Sequence, residues 1–146
     1  MSFPEGDMDH TATMRRLYDL INAADIDSFG GQLADDFTER EDLPGFPPTK
    51  AGVIQYFRML IAAFPDLRMV AEDVIASGNK AVARVRVTGT HKGSFMGMSA
   101  TGKRVEVTLI DIIRFGDDGR AREHWGVVDQ LRMMQQLGAI PAGPQM

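Results

Sequence analysis

Four side chains in this sequence combine a titratable group with a placement suited to moving protons. Asp111 stands inside an aliphatic run formed by Val105, Val107, Leu109, Ile110, Ile112 and Ile113. His124 and Asp129 follow shortly after it, and His91 ends an alternating stretch further back. An acid among aliphatic residues costs free energy unless it is paired or used. A carboxylate takes a proton from carbon effectively only when an apolar site raises its pKa toward the working pH, and burial can move an acid by ~3–5 units. The chemistry these residues point to is therefore general acid–base catalysis by a carboxylate, with a histidine as its partner.

Asp111, His124 and Asp129 all belong to residues 104–129, which read as two β-strands folded back about Gly116-Asp117-Asp118-Gly119. The register of that hairpin decides which side chains meet. A two- or four-residue turn sets Asp111 opposite His124 as a dyad on one face, with Trp125 and Asp129 on the other. A three-residue turn with Gly119 in the left-handed region sets Asp111 opposite Trp125 and Val107 opposite Asp129, so that Asp111, Trp125 and Asp129 share a face. The Asp-Asp-Gly sequence favours the three-residue turn.

The surrounding pattern predicts the elements that hold this hairpin. A helix capped by Asp9 runs to about Ala24, with Met14, Leu17, Tyr18 and Ile21 on one stripe. A second short helix is expected within residues 25–36, weakened by Gly30-Gly31, and a brief strand over 37–41. Thr49 caps a third helix whose inner face carries Val53, Phe57, Leu60, Ile61 and Phe64, and Pro65 ends it. Strands are expected over 67–76, 81–91, 104–115 and 120–128, and a last helical turn over 129–137. Within 81–91 the odd positions are Ala81, Ala83, Val85, Val87, Gly89 and His91, which gives one apolar, helix-facing side with His91 at its end. Strand 104–115 carries aliphatic residues on both faces, so its outer face needs a cover, and a homodimer through the sheet is the simplest one. Helices first and antiparallel strands after them give an α+β fold in one domain spanning residues 1–146, with 1–8 and 139–146 as loose ends.

Composition narrows the functions. The 146 residues are 44% hydrophobic and 25% charged, as in an ordinary globular protein. The net charge of -4 and the absence of a Lys/Arg cluster argue against nucleic acid as a partner. No run of ~18 apolar residues exists to span a membrane, and the opening MSFPEGDMDH has no secretion-signal pattern, so the cytoplasm is the expected location. Zero cysteines remove thiolate nucleophiles, and three scattered histidines without a His-x-x-x-His spacing speak against a metal site. There is no glycine-rich phosphate loop and no Ser/His/Asp elbow. A non-catalytic pocket for an apolar ligand, or a dimeric interaction module, is the alternative to an enzyme.

Several motifs occur in a familiar order: Ala63-Phe64-Pro65-Asp66-Leu67, Gly89-Thr90-His91-Lys92-Gly93-Ser94-Phe95, Ala100-Thr101-Gly102-Lys103, and Glu123-His124-Trp125 with Asp129 and Gln136-Leu137-Gly138. Together they resemble the SnoaL-like polyketide (ester) cyclases over residues 10–138. The resemblance implies the cone-shaped fold shared with nuclear transport factor 2, a curved, mostly antiparallel sheet with helices closing a pocket on its concave face. It further implies a cofactor-free, metal-free intramolecular aldol condensation of a hydrophobic, carbonyl-containing small molecule. Asp129 best matches the acid/base, and His91 and Trp125 fall inside matching motifs. Trp125, Phe57, Phe95 and Met96 would line the pocket, and Tyr18 could donate to an enolate oxygen. One departure is Ser99-Ala100 where a proline is usual, which bears on the pocket rim and not on the fold. The Asp-Arg-Asp set of related epoxide hydrolases is not matched, because Asp111 and Arg114 point to opposite faces of a strand.

Overall fold

The computed structural model describes residues 9–141 and 143; the expected loose arm 1–8 and most of the tail beyond 141 lie outside the described residues. Asp9 caps α1 (His10–Asn22), its Oδ1 accepting the Ala12 N–H at 3.0 Å. Met14, Leu17, Tyr18 and Ile21 are buried on one stripe of that helix. The short α2 (Ile26–Gly31) stops where Gly30-Gly31 was expected to weaken it. The chain then turns directly into β1 (Leu33–Glu39), an earlier and longer strand than residues 37–41. Thr49 caps α3 (Lys50–Ala63), which presents Val53 to the core.

The remaining strands are β2 (Arg68–Ser77), β3 (Lys80–Thr90), β4 (Arg104–Phe115) and β5 (Ala121–Val128), followed by α4 (Gln130–Leu137). They form one sheet in the order β1-β5-β4-β3-β2. All its pairings are antiparallel except β1 with β5, which run parallel and set Glu39 beside His124. Ala81, Ala83, Val85 and Val87 are buried toward the helices, as their alternation requires. The fold is α+β, with a curved sheet packed against helices on one side.

The β4–β5 hairpin departs from both expected registers. Its tip is the three-residue turn: Gly116 N–H donates to Arg120 O at 2.9 Å, and Gly119 takes φ 79°, a left-handed conformation suited to glycine. Beyond the tip, Phe115 pairs with Ala121 but Arg114 pairs with Glu123, leaving Arg122 as a bulge. That extra residue moves the ladder on by one, so Asp111 faces Gly126 and Ile112 faces Trp125. The expectation of Asp111 opposite Trp125, with both on one face as Asp129, is corrected. The bulge restores the parity of the other alternative, with Asp111 and His124 on the concave side.

On the outer side, cross-strand pairs run Ile75–Val82, Val82–Ile112 and Ile112–Trp125, with Ile110–Val127 beside them. Ile75 and Val127 are well exposed there. No helix among the described residues is long and apolar enough to cross a membrane.

Candidate active site

Between the concave sheet face and the helices lies a cavity of about 760 Å³. Most of its wall is apolar, from Leu17 and Ile21 on α1, Val53, Phe57 and Leu60 on α3, and Val105 and Val107 on β4. One end is polar. Tyr18, Glu39, Glu41, Tyr56, Asp111 and His124 converge there, with exposed Asp42 at the rim.

Asp111 is buried, and both its oxygens are engaged: Tyr18 Oη donates to Oδ2 at 2.6 Å, and His124 Nε2 lies 2.7 Å from Oδ1. The other ring nitrogen of His124, Nδ1, lies 2.5 Å from Glu39 Oε2. An imidazole held between two carboxylates must donate from both nitrogens, so it carries a positive charge. Burial opposes that charge, but the hydrogen bonds and charges of Asp111 and Glu39 outweigh it and lift the His124 pKa to about 10. Burial, then the charge and acceptor bond of Asp111, push the Tyr18 hydroxyl well above its ordinary value, so it stays a donor.

Glu41 enters from the loop after β1. Its N–H donates to Glu39 Oε2 at 3.1 Å, whereas its carboxyl makes no hydrogen bond among the described residues. Room for it comes from Gly126. A Cβ at that position would stand 2.8 Å from Glu41 Oε1, 2.7 Å from His124 Cε1 and 3.0 Å from Asp111 Oδ1. Burial raises the Glu41 pKa, His124 pulls it down, and Asp111 and Glu39 push it up again, leaving it at about 7. Tyr56 packs edge-to-face on Phe46 and Phe57. Burial, with the charges of Glu41, Glu39 and Asp111, holds its hydroxyl in the protonated form, and that hydroxyl has no hydrogen bond among the described residues.

The sequence-predicted residues divide into three groups. Asp111, His124 and Tyr18 form one hydrogen-bonded relay, and Phe57, Phe95 and Met96 line the cavity. Asp129 and Trp125 lie elsewhere. Asp129 Oδ1 accepts the Arg132 N–H at 3.2 Å and caps α4, outside the cavity wall. Trp125 is on the outer face, where Lys80 Nζ lies 5.6 Å from the ring centroid. The register shift accounts for both. His91 is fully buried behind the wall, stacked on Phe64, with Nδ1 accepting the Thr101 N–H at 3.2 Å and so placing its proton on Nε2.

Sequence reasoning missed Glu39, Glu41, Tyr56 and Gly126. A signal was present, because Phe37, Glu39 and Glu41 share one face of an extended chain. Among the described residues, no group of three or more His, Asp or Glu side chains is arranged to hold a metal ion.

The profile of the SnoaL-like polyketide cyclase family matches residues 11–137. The chain belongs to this family. A comparison with curated proteins gives no match. Among solved structures, this SnoaL-like chain is similar to AclR, a proposed hydroxylase from Streptomyces galilaeus, with 27% identity and TM-score 0.81 over 93% of this chain and 85% of that one. TsrD from Streptomyces laurentii shows 28% identity and TM-score 0.81, with 92% and 100% covered. IdmH, a proposed polyketide cyclase from Streptomyces antibioticus, shows 29% identity and TM-score 0.77, with 90% and 99% covered. The fold expected from the motifs is thus the fold found. One scaffold carries both a hydroxylase and a cyclase name, so the reaction of this SnoaL-like chain must be argued from its own side chains.

Proposed function

We propose that this SnoaL-like protein is a cofactor-free acid–base enzyme that closes a ring in a hydrophobic, carbonyl-containing small molecule by intramolecular aldol condensation. The observation that carries the reading is the relay Tyr18–Asp111–His124–Glu39 at the one polar end of an otherwise apolar cavity. Such a cavity takes up an apolar body and orients it by a few polar groups.

Aldol closure needs a base for the proton beside a carbonyl and a positive or hydrogen-bonding partner for the enolate oxygen. Asp111 and Glu39 keep His124 charged, and a fixed imidazolium in a dry site stabilises developing negative charge far better than water does. The Tyr56 hydroxyl, protonated and without a hydrogen bond among the described residues, supplies one to the same oxygen. Asp111 acts here by holding Tyr18 and His124, and Asp129 takes no part.

The test is turnover of polyketide esters with an activated methylene and a second carbonyl in reach. Asp111→Asn and His124→Gln are each expected to lower kcat by ~100-fold or more. Full turnover by both variants would end the reading.

A further inference from the structure

Three of the four acids at the polar end are already accounted for. Asp111 binds Tyr18 and His124, Glu39 binds His124 and the Glu41 N–H, and Asp42 is exposed at the rim. Neither Glu41 nor Asp42 makes a carboxyl hydrogen bond among the described residues, and of these two cavity-lining acids only Glu41 is partly buried. Its Oε1 occupies the space above Gly126, at the meeting point of His124 and Asp111. Any side chain at that position would displace it.

We infer that Glu41, carried on the loop after β1, is the residue that takes and returns the proton, and that Gly126 is glycine to let its carboxyl reach the reacting carbon. This rests on the acid–base reading above and assigns its central role. The step balances within the substrate. Glu41 carboxylate takes the proton from the carbon beside the carbonyl, and the C–H electron pair moves to the enolate. The enolate carbon attacks the second carbonyl, forming the C–C bond and an alkoxide. Glu41 carboxylic acid then returns its proton to that alkoxide, so no other reactant is needed. Asp111 is less well placed for the task, because both its oxygens already accept hydrogen bonds, from Tyr18 and from the charged His124. His124 is already protonated. A Glu41 pKa of about 7 suits a group that must give and take a proton near neutrality.

Two measurements test the assignment. The first follows side-chain carboxyl carbons in protein labelled with ¹³C-glutamate, with Glu41→Gln to identify the signal. The Glu41 signal should titrate near pH 7 and shift when the neutral apolar dye N-phenyl-1-naphthylamine fills the cavity. A midpoint in the ordinary carboxylate range with no response to the dye would overturn the proposal. The second is turnover, where Glu41→Gln should lower kcat by ~100-fold or more with KM changed less than about threefold. Glu41→Gln at wild-type kcat beside an inactive Asp111→Asn would overturn Glu41 alone and leave the acid–base reading standing. Wild-type protein inactive on every such ester would overturn the reading and this catalytic role together, while the carbon titration would still report whether Glu41 meets the ligand.

Discussion

His124 Nε2 lies 2.7 Å from Asp111 Oδ1 although the residue paired with Asp111 in the ladder is Gly126. The contact is diagonal. It exists because glycine leaves the space over position 126 open and the His124 ring leans across it. Together with the contact to Glu39 it holds the positive charge on the ring.

Both raised pKa values at this site predict a protein that weakens toward alkaline pH. The His124 pKa rises from 6.5 to about 10 on folding, so its contribution is full below about pH 6.5 and is lost as pH climbs through about 10. Glu41, raised from 4.5 to about 7, adds an earlier loss between those values. Urea unfolding at pH steps from 5 to 10 should show the decline. Glu41→Gln should remove the first part of it and raise stability at pH 8 by about 1–2 kcal/mol, allowing for partial exposure of the carboxyl to solvent. A wild-type profile flat from pH 5 to 10 would contradict both assignments.

Gly126→Ala puts a methyl within 2.7 Å of His124 Cε1 and 2.8 Å of Glu41 Oε1. We expect a loss of about 1–3 kcal/mol by denaturant midpoint and at least a tenfold drop in kcat, since the carboxyl must swing away from the reacting carbon. Unchanged turnover in Gly126→Ala would show that the Glu41 position does not matter.

Asp129→Ala removes the cap of α4 and nothing in the cavity. Stability should fall by about 1 kcal/mol in thermal or urea unfolding, with kcat within about twofold of wild type. A large loss of turnover with an intact α4 would return Asp129 to the chemistry.

For the row Ile75–Val82–Ile112–Trp125 on the outer face we propose a second copy of the chain as the cover, in an isologous contact over those apolar residues. Light scattering on the eluting protein is expected to give the mass of a dimer for wild type and of a monomer for Ile112→Lys. A monomeric wild type at micromolar concentration would dismiss the contact.

Much of this was legible in the sequence. Asp111 stands out because it interrupts an aliphatic run, with Leu109 and Ile110 before it and Ile112 and Ile113 after it, and helical spacing puts Tyr18 on the inner face of α1. The facing of Asp111 and His124 is one of the two arrangements the sequence allows, whereas the hydrogen bond from Tyr18 to Asp111 is found only in the structure. The Arg122 bulge hid which alternative holds, since a bulge leaves no fixed mark in the local sequence. Glu39 and Glu41 were harder still. Residues 37–41 read as a brief strand, but the charged run Glu39-Arg40-Glu41-Asp42 carries no mark of an inward face, and only the parallel pairing of β1 with β5, made across most of the chain length, turns Glu39 inward. Trp125 and Asp129 are placed in the pocket by motif and by a three-residue turn without a bulge, and one residue of register moves both out of the cavity.

The bulge at Arg122 has one more consequence. It takes up an extra residue between the hairpin tip and the ladder, so the tip can lengthen or shorten by one residue there while Asp111 and His124 keep facing the same side. The register at the hairpin tip and the register at the reactive end are therefore set separately.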